Sequence, residues 1–251
     1  MKKMWIITFI FCAFIYPAAA EATDSAEKNS HWGFSGALEI GGLWLAGQGF
    51  SSIEDAGYGS IGTESAVPVI SAGMNYRMSE LFDLALSLSY SGGGSFLWSE
   101  LFGDTYSSFS LYADSLSVQL EIQPLFPFLQ GFHPFIGGGY SIANGLIDDI
   151  GEGFVGGQGP FIVGGLYIFN SFGMDPNPIL YMDETSAVGI RISAYYRFPY
   201  AYSFSLNWDE LSAAYSGPAD FETLRSFFEN NTFPTQSFAV SIGLSLEYTP
   251  F

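Results

Sequence analysis

Apolar and polar residues alternate along most of this chain, with a period of two. The stretch from Ser237 to Phe251 carries the pattern most plainly. Phe238, Val240, Ile242, Leu244, Leu246 and Tyr248 take one side; Ser237, Ala239, Ser241, Gly243, Ser245 and Glu247 take the other. Successive side chains of a strand point to opposite faces, so this is a strand with one apolar and one small or polar face. It is longer than an ordinary globular strand and suits a tilted strand crossing a bilayer.

Seven further stretches read as strands, six of them with the same alternation. The first sets Trp32, Phe34, Leu38, Ile40 and Trp44 against Gly33, Ser35, Ala37, Glu39 and Gly41, with an aromatic near each end. Others run over 67–78, 83–90, 112–122, from Pro134 through Ile142, and 188–198. The stretch 160–170 is apolar on both faces, and its parity is open. Long Gly-, Ser- and acid-rich connections are expected at 47–64, around Gly92-Gly93-Gly94 to Asp104, at 144–159 and at 202–236. Shorter ones are expected at 79–82, 124–133 and 171–185. The pattern predicts an all-β, eight-stranded antiparallel up-and-down transmembrane barrel over 32–251. The shorter connections would face the periplasm and the longer ones the outside. A soluble β-sandwich is the alternative.

The chain ends on Phe251, with Tyr248 close behind. An apolar-outside strand with terminal aromatics resembles the assembly signal of bacterial outer-membrane β-barrels, and Gly243-x-x-Leu246-x-Tyr248 follows the usual spacing of that signal. Phe251 has the opposite parity from Tyr248, so either Tyr248 is the signal aromatic or Pro250 kinks the chain. Pro134-Phe135-x-Gly137-x-Gly139 resembles small outer-membrane barrels as well. Over nearly all of 32–251 the chain is similar to the small eight-stranded family of the OmpA membrane domain and OmpW. The resemblance implies an outer-membrane location, outer-membrane lipid and lipopolysaccharide as surroundings, dependence on the barrel assembly machinery, and a monomer.

Composition narrows the picture. Lys2 and Lys3, an apolar run from Met4 to Tyr16 and then Pro17-Ala18-Ala19-Ala20 predict a cleavable secretory signal over 1–20, followed by a polar lead over 21–31. The formal charge of −18 leaves no clustered basic surface for nucleic acid. Acidity with 18% aromatics is not the signature of disorder. Cys12 lies in the signal, so no thiol chemistry is expected of the mature chain.

Candidate chemistry is sparse. Gly151-x-Gly153-x-x-Gly156 matches a dinucleotide fingerprint but lacks a following helix. Asn230-Asn231-Thr232 fits a glycosylation sequon, and a loop is the plainer reading. The only histidines, His31 and His133, map to the periplasmic strand ends and suit an interfacial girdle. No catalytic site, metal site or cofactor is expected. The inward parities carry Glu39, Glu121, Arg191 and Glu247 in the lower half, and Leu43, Leu45, Phe109, Leu111 and Tyr195 in the upper half. An unpaired guanidinium in a lumen filled by side chains is costly, so Arg191 is expected to pair with Glu39 or Glu247 as a latch. An eight-stranded barrel is about wide enough for side chains to fill, so the upper set is expected to fill the interior; the alternative, which the likeness to OmpW implies, is a pocket under the outer mouth for a small apolar molecule.

Within the longest connection, Pro218 can start a helix, and Phe221, Leu224 and Phe228 recur at helical spacing. That predicts a short amphipathic helix over 219–229, resting on the barrel mouth or the outer leaflet. The expected role is a surface-interacting anchor displaying acidic loops. The alternative is a narrow passive channel or a pocket for small hydrophobic molecules, as the likeness to OmpW implies.

Overall fold

The computed structural model describes residues 32–46, 48–62, 64–79, 82–99, 109–124, 132–147, 153–168, 180–183, 186–209, 212 and 220–248. The expected signal, the lead and Phe251 lie outside these residues. Eight long strands form the wall: β1 (Trp32–Ala46), β3 (Glu64–Ser79), β4 (Phe82–Ser99), β5 (Phe109–Pro124), β6 (Phe132–Ile147), β7 (Gly153–Ile168), β9 (Ser186–Ser205) and β10 (Phe233–Tyr248). Each pairs antiparallel with the next, and β10 pairs with both β9 and β1, so the sheet closes. Closure satisfies backbone groups that an open edge would leave unpaired in lipid. Two short strands extend the ladder: β2 (Ser60–Ile61) on β4, and β8 (Leu180–Asp183) on β9. Two helices, α1 (Gln48–Asp55) and α2 (Phe221–Asn230), lie between barrel strands at one end.

One end of the barrel, the terminal end, holds the start of β1 and the finish of β10. The other, the loop end, holds α1 and α2. The large exposed apolar residues are all even-numbered, and the buried polar residues of the strands are all odd-numbered. The wall therefore keeps one parity through the spanning section: apolar outside, small or polar inside. This settles the sixth wall strand, where Phe161, Val163 and Tyr167 point inward and Ile162 points outward.

Several expected loops are strand. β4 continues through Gly92–Gly94 to Ser99 after a register shift between Ser91 and Gly94. β6 reaches Ile147 and β7 starts at Gly153, so the expected connection 144–159 shrinks to 148–152. Gly153 and Gly156 pair with Ile147 and Asn144, which rules out the strand-turn-helix setting of a nucleotide loop. Glycine weakens strand propensity, but neighbouring ladders hold these residues extended.

β9 runs on to Ser205 through an irregularity at Phe198 and Pro199. Both face out, so the parity flips and Phe204 points inward. Here β7 and β9 lose register between Gly156 and Phe161. The expected helix over 219–229 is present as Phe221–Asn230. The segment 48–55, expected as loop, is helix α1, with only Phe50 and Ile53 as apolar anchors.

Candidate functional site

The outer wall is built for lipid. Leu38, Ile40, Leu86, Val118, Ile136, Ile162, Ile242 and Leu244 form an exposed apolar band. Aromatic pairs border it on both sides: Trp32 with Tyr76 and Phe34 with Tyr248 at the terminal end, Trp44 with Phe238 at the loop end. Along a tilted strand, Trp32 and Trp44 are about 30 Å apart in height, close to a hydrocarbon core. The Trp44 ring folds over Gly42 and the Tyr90 ring over Gly92, covering bare backbone on the outer face. His133 belongs elsewhere than the girdle: it has the inward parity and sits in the field of Asp83 and Arg77.

The lumen is layered. Nearest the terminal end, Arg77 makes a two-point ion pair with Asp83 at 2.9 and 3.1 Å. Beside it, Asn75 Nδ2 donates to Glu247 Oε1 at 3.1 Å, and Ser35 donates to Asn75. Glu247, one of the two partners expected for Arg191, is thus engaged in this lower layer.

The next layer centres on Arg191, on β9. Its Nη1 donates to Glu39 Oε1 on β1 at 2.6 Å, and its Nη2 to Glu121 Oε1 on β5 at 2.6 Å. All three side chains are at most 2% exposed. Ser193 and Ser241 donate to Glu39 Oε2, while Gln119 and Tyr167 donate to the Glu121 carboxylate. The guanidinium also lies over the Phe135 and Tyr167 rings, at 4.8 and 5.4 Å from their centroids. A buried charge survives when paired and when its partners' remaining lone pairs are filled, and this layer meets both conditions. Inward glycines make room for it. A Cβ on Gly165 would strike the Phe135 ring, and one on Gly139 would strike Phe161.

Glu121 as the second partner was not legible from the sequence. It stands on the inward parity of β5, but only the closed barrel shows that β5 faces β9 across the lumen at that height.

The loop end is apolar. Leu43, Leu45, Val67, Val69, Phe161, Val163 and Tyr195 join Phe50, Ile53, Tyr58, Leu224, Phe228 and Phe233 in one buried cluster. Phe228 touches Tyr58, Phe204 and Phe233 with ring centroids 5.3 to 6.0 Å apart. Helix α2 buries Leu224 and Phe228 and exposes Glu222 and Glu229, so it covers the mouth with its apolar face inward. Of the expected pocket residues, Leu43, Leu45 and Tyr195 belong to this filled cluster. Tyr195 also accepts from Arg191 at 3.3 Å. Phe109 and Leu111 lie on β5, and their side chains are outside the description.

Of the expected assembly signal, Gly243, Leu246 and Tyr248 lie on β10. Gly243 pairs with Glu39 on one side and Arg191 on the other. No group of His, Cys, Asp and Glu among the described residues is arranged to hold a metal ion.

A closed antiparallel barrel with an apolar outer band and a polar lumen defines an outer-membrane-type β-barrel, a class that resides in the bacterial outer membrane. Among solved structures, the chain is similar to Neisserial surface protein A, at 12% identity and TM-score 0.45, over 90% of this chain and 100% of that one. It is also similar to OprG of Pseudomonas aeruginosa, at 8% identity and TM-score 0.47, over 87% and 95%. A major outer-membrane protein of Thermus thermophilus is similar at 10% identity and TM-score 0.45, over 87% and 100%. No protein-family model and no curated sequence matches the chain. At such identities no residue role carries over.

Proposed function

We propose that this protein is a non-enzymatic outer-membrane anchor, closed to solutes, that presents an acidic surface at its loop end. The observation that carries this reading is closure at two heights: the Arg191 layer crosses the lumen, and the cluster under α2 fills the mouth. A barrel of eight strands is about wide enough for side chains to fill it. Among the described residues, Glu54, Asp55, Asp209, Asp220, Glu222 and Glu229 are exposed at the loop end. The proposal includes export by the signal over 1–20, delivery by the barrel assembly machinery, a monomeric state, and lipopolysaccharide around the outer rim. A host or surface ligand would meet the acidic face.

A second reading rests on the apolar cluster. Its residues continue from α2 down the wall to Val67 and Val69. Displacing α2 would open a chamber suited to a small hydrophobic molecule on a passive route. Planar-bilayer conductance and liposome swelling on refolded protein separate the two. The anchor reading expects no stable open channel and no swelling with small sugars. Steady unit conductance in the unmodified protein would overturn it.

A further inference from the structure

Above the Arg191 layer the lumen holds a further inward-facing guanidinium, and it is arranged unlike that of Arg191. Arg197 stands on β9 between Arg191 and the mouth. Its Nη2 donates to Ser115 Oγ at 3.2 Å. Its Nε is buried without an acceptor, and among the described residues no carboxylate lies within ion-pair distance. Arg191 has two carboxylates; Arg197 has one hydroxyl. Arg197 is half-buried, and a donor held out of water without an acceptor is costly unless something completes it.

A small cavity of about 20 Å³ adjoins Arg197. That is room for about one or two water-sized guests. Its polar lining comes from Arg197, Ser89, Ser91 and Tyr195, and its apolar floor includes Val67 and Val69.

Ser115 accepts from Arg197 and lies 2.5 Å from Ser91 Oγ, and either hydroxyl of that pair can be the donor. With Ser115 donating to Ser91, the Ser91 hydroxyl proton is left for a guest in the cavity that Ser91 lines. The Tyr195 hydroxyl is engaged by Arg191, so the tyrosine lines the cavity without being counted among its donors. Ser241 lines the cavity too, but its proton is spent on Glu39. Both Glu39 oxygens are occupied, by Arg191 and by Ser193 with Ser241. The cavity thus offers donors and a positive charge, and no free carboxylate.

We propose that this cavity binds a single halide-sized monovalent anion, held by Arg197, Ser91 and Ser89. A water can use the donors but leaves the charge uncompensated; an anion answers both. The volume suits a monatomic guest.

The test uses the refolded full barrel in detergent at constant ionic strength, with gluconate replaced stepwise by chloride or bromide. The unfolding midpoint should rise saturably with either halide. That rise should be lost in Arg197→Met and in Ser91→Ala. The second substitution removes one hydroxyl and decides the matter if the first does not fold. Crystals grown in bromide should show an anomalous peak beside Arg197. A midpoint indifferent to halide, a halide response that persists in the variants, or a cavity that holds only water in bromide would each overturn the proposal.

Discussion

Arg191 meets Glu39 across Gly243. The glycine, on β10, pairs with Glu39 on β1 and with Arg191 on β9, so the three stand side by side on the inner wall. With no side chain between them, the guanidinium closes to 2.6 Å on the carboxylate. A Cβ on Gly243 would strike the Leu38 carbonyl oxygen and the Glu39 Cα. The glycine of the expected assembly signal therefore has a packing reason of its own. Gly243→Ala should lower the yield of folded barrel and its urea midpoint, whereas Ser241→Gly should leave the backbone approach intact. Equal refolding of Gly243→Ala and the parent protein would show that the wall yields at this point.

The ion pair itself gives a second prediction. Removing Arg191 leaves Glu39 and Glu121 buried without their cation. Arg191→Ala should cost about 3–5 kcal/mol, the range for breaking a buried pair. Arg191→Lys should recover little, because an ammonium cannot span two carboxylates as the planar fork does. Urea titration in lipid vesicles measures both, and conductance of Arg191→Ala should exceed that of the parent. Wild-type stability with unchanged conductance would mean that water already reaches the layer.

The closing strand supplies a third. Tyr248 stacks on Phe34 at 6.5 Å, and β10 closes the wall against both β1 and β9. Deleting Tyr248 to Phe251 should leave the protein unassembled and sensitive to protease in cells. Normal amounts of heat-modifiable barrel in outer membranes would remove the need for these residues.

The cover at the mouth should respond to a single ring. Phe228 is 1% exposed and central to the aromatic cluster. Phe228→Ala should cost about 3–5 kcal/mol, as for other large core truncations. Amide exchange over 221–230 should be slow in the parent and fast in Phe228→Asp, with the spanning strands still protected. Fast exchange over 221–230 in the parent would show that α2 does not stay seated.

The outer band predicts a sidedness. Ile40 is 64% exposed, at mid-height on β1, and faces the lipid. Ile40→Arg should destabilise by about 2–4 kcal/mol in bilayers, and Trp32→Arg, at the rim, by about 0–1 kcal/mol. Equal penalties measured in vesicles would argue against the assigned membrane height.

Some of this was fixed by local pattern. Period-two alternation dictates a strand wherever one face meets lipid and the other does not, so every wall strand was visible in its spanning section, as were the faces of the alternating stretches outside 160–170. The spacing of Phe221, Leu224 and Phe228 announced α2 for the same reason, since an amphipathic helix writes its own period. Other features depended on closure. Glu121 became the second partner of Arg191 because the barrel brings β5 opposite β9, and strand stagger cannot be read from either strand alone. The glycine-rich stretches of β4 and β7 are extended because their neighbours pair with them, against their own weak propensity. Helix α1 has little pattern beyond Phe50 and Ile53 and is held by what it covers. The inward turn of Phe204 follows from the irregularity at Phe198 and Pro199, which flips the side-chain parity only once the wall on either side holds its register.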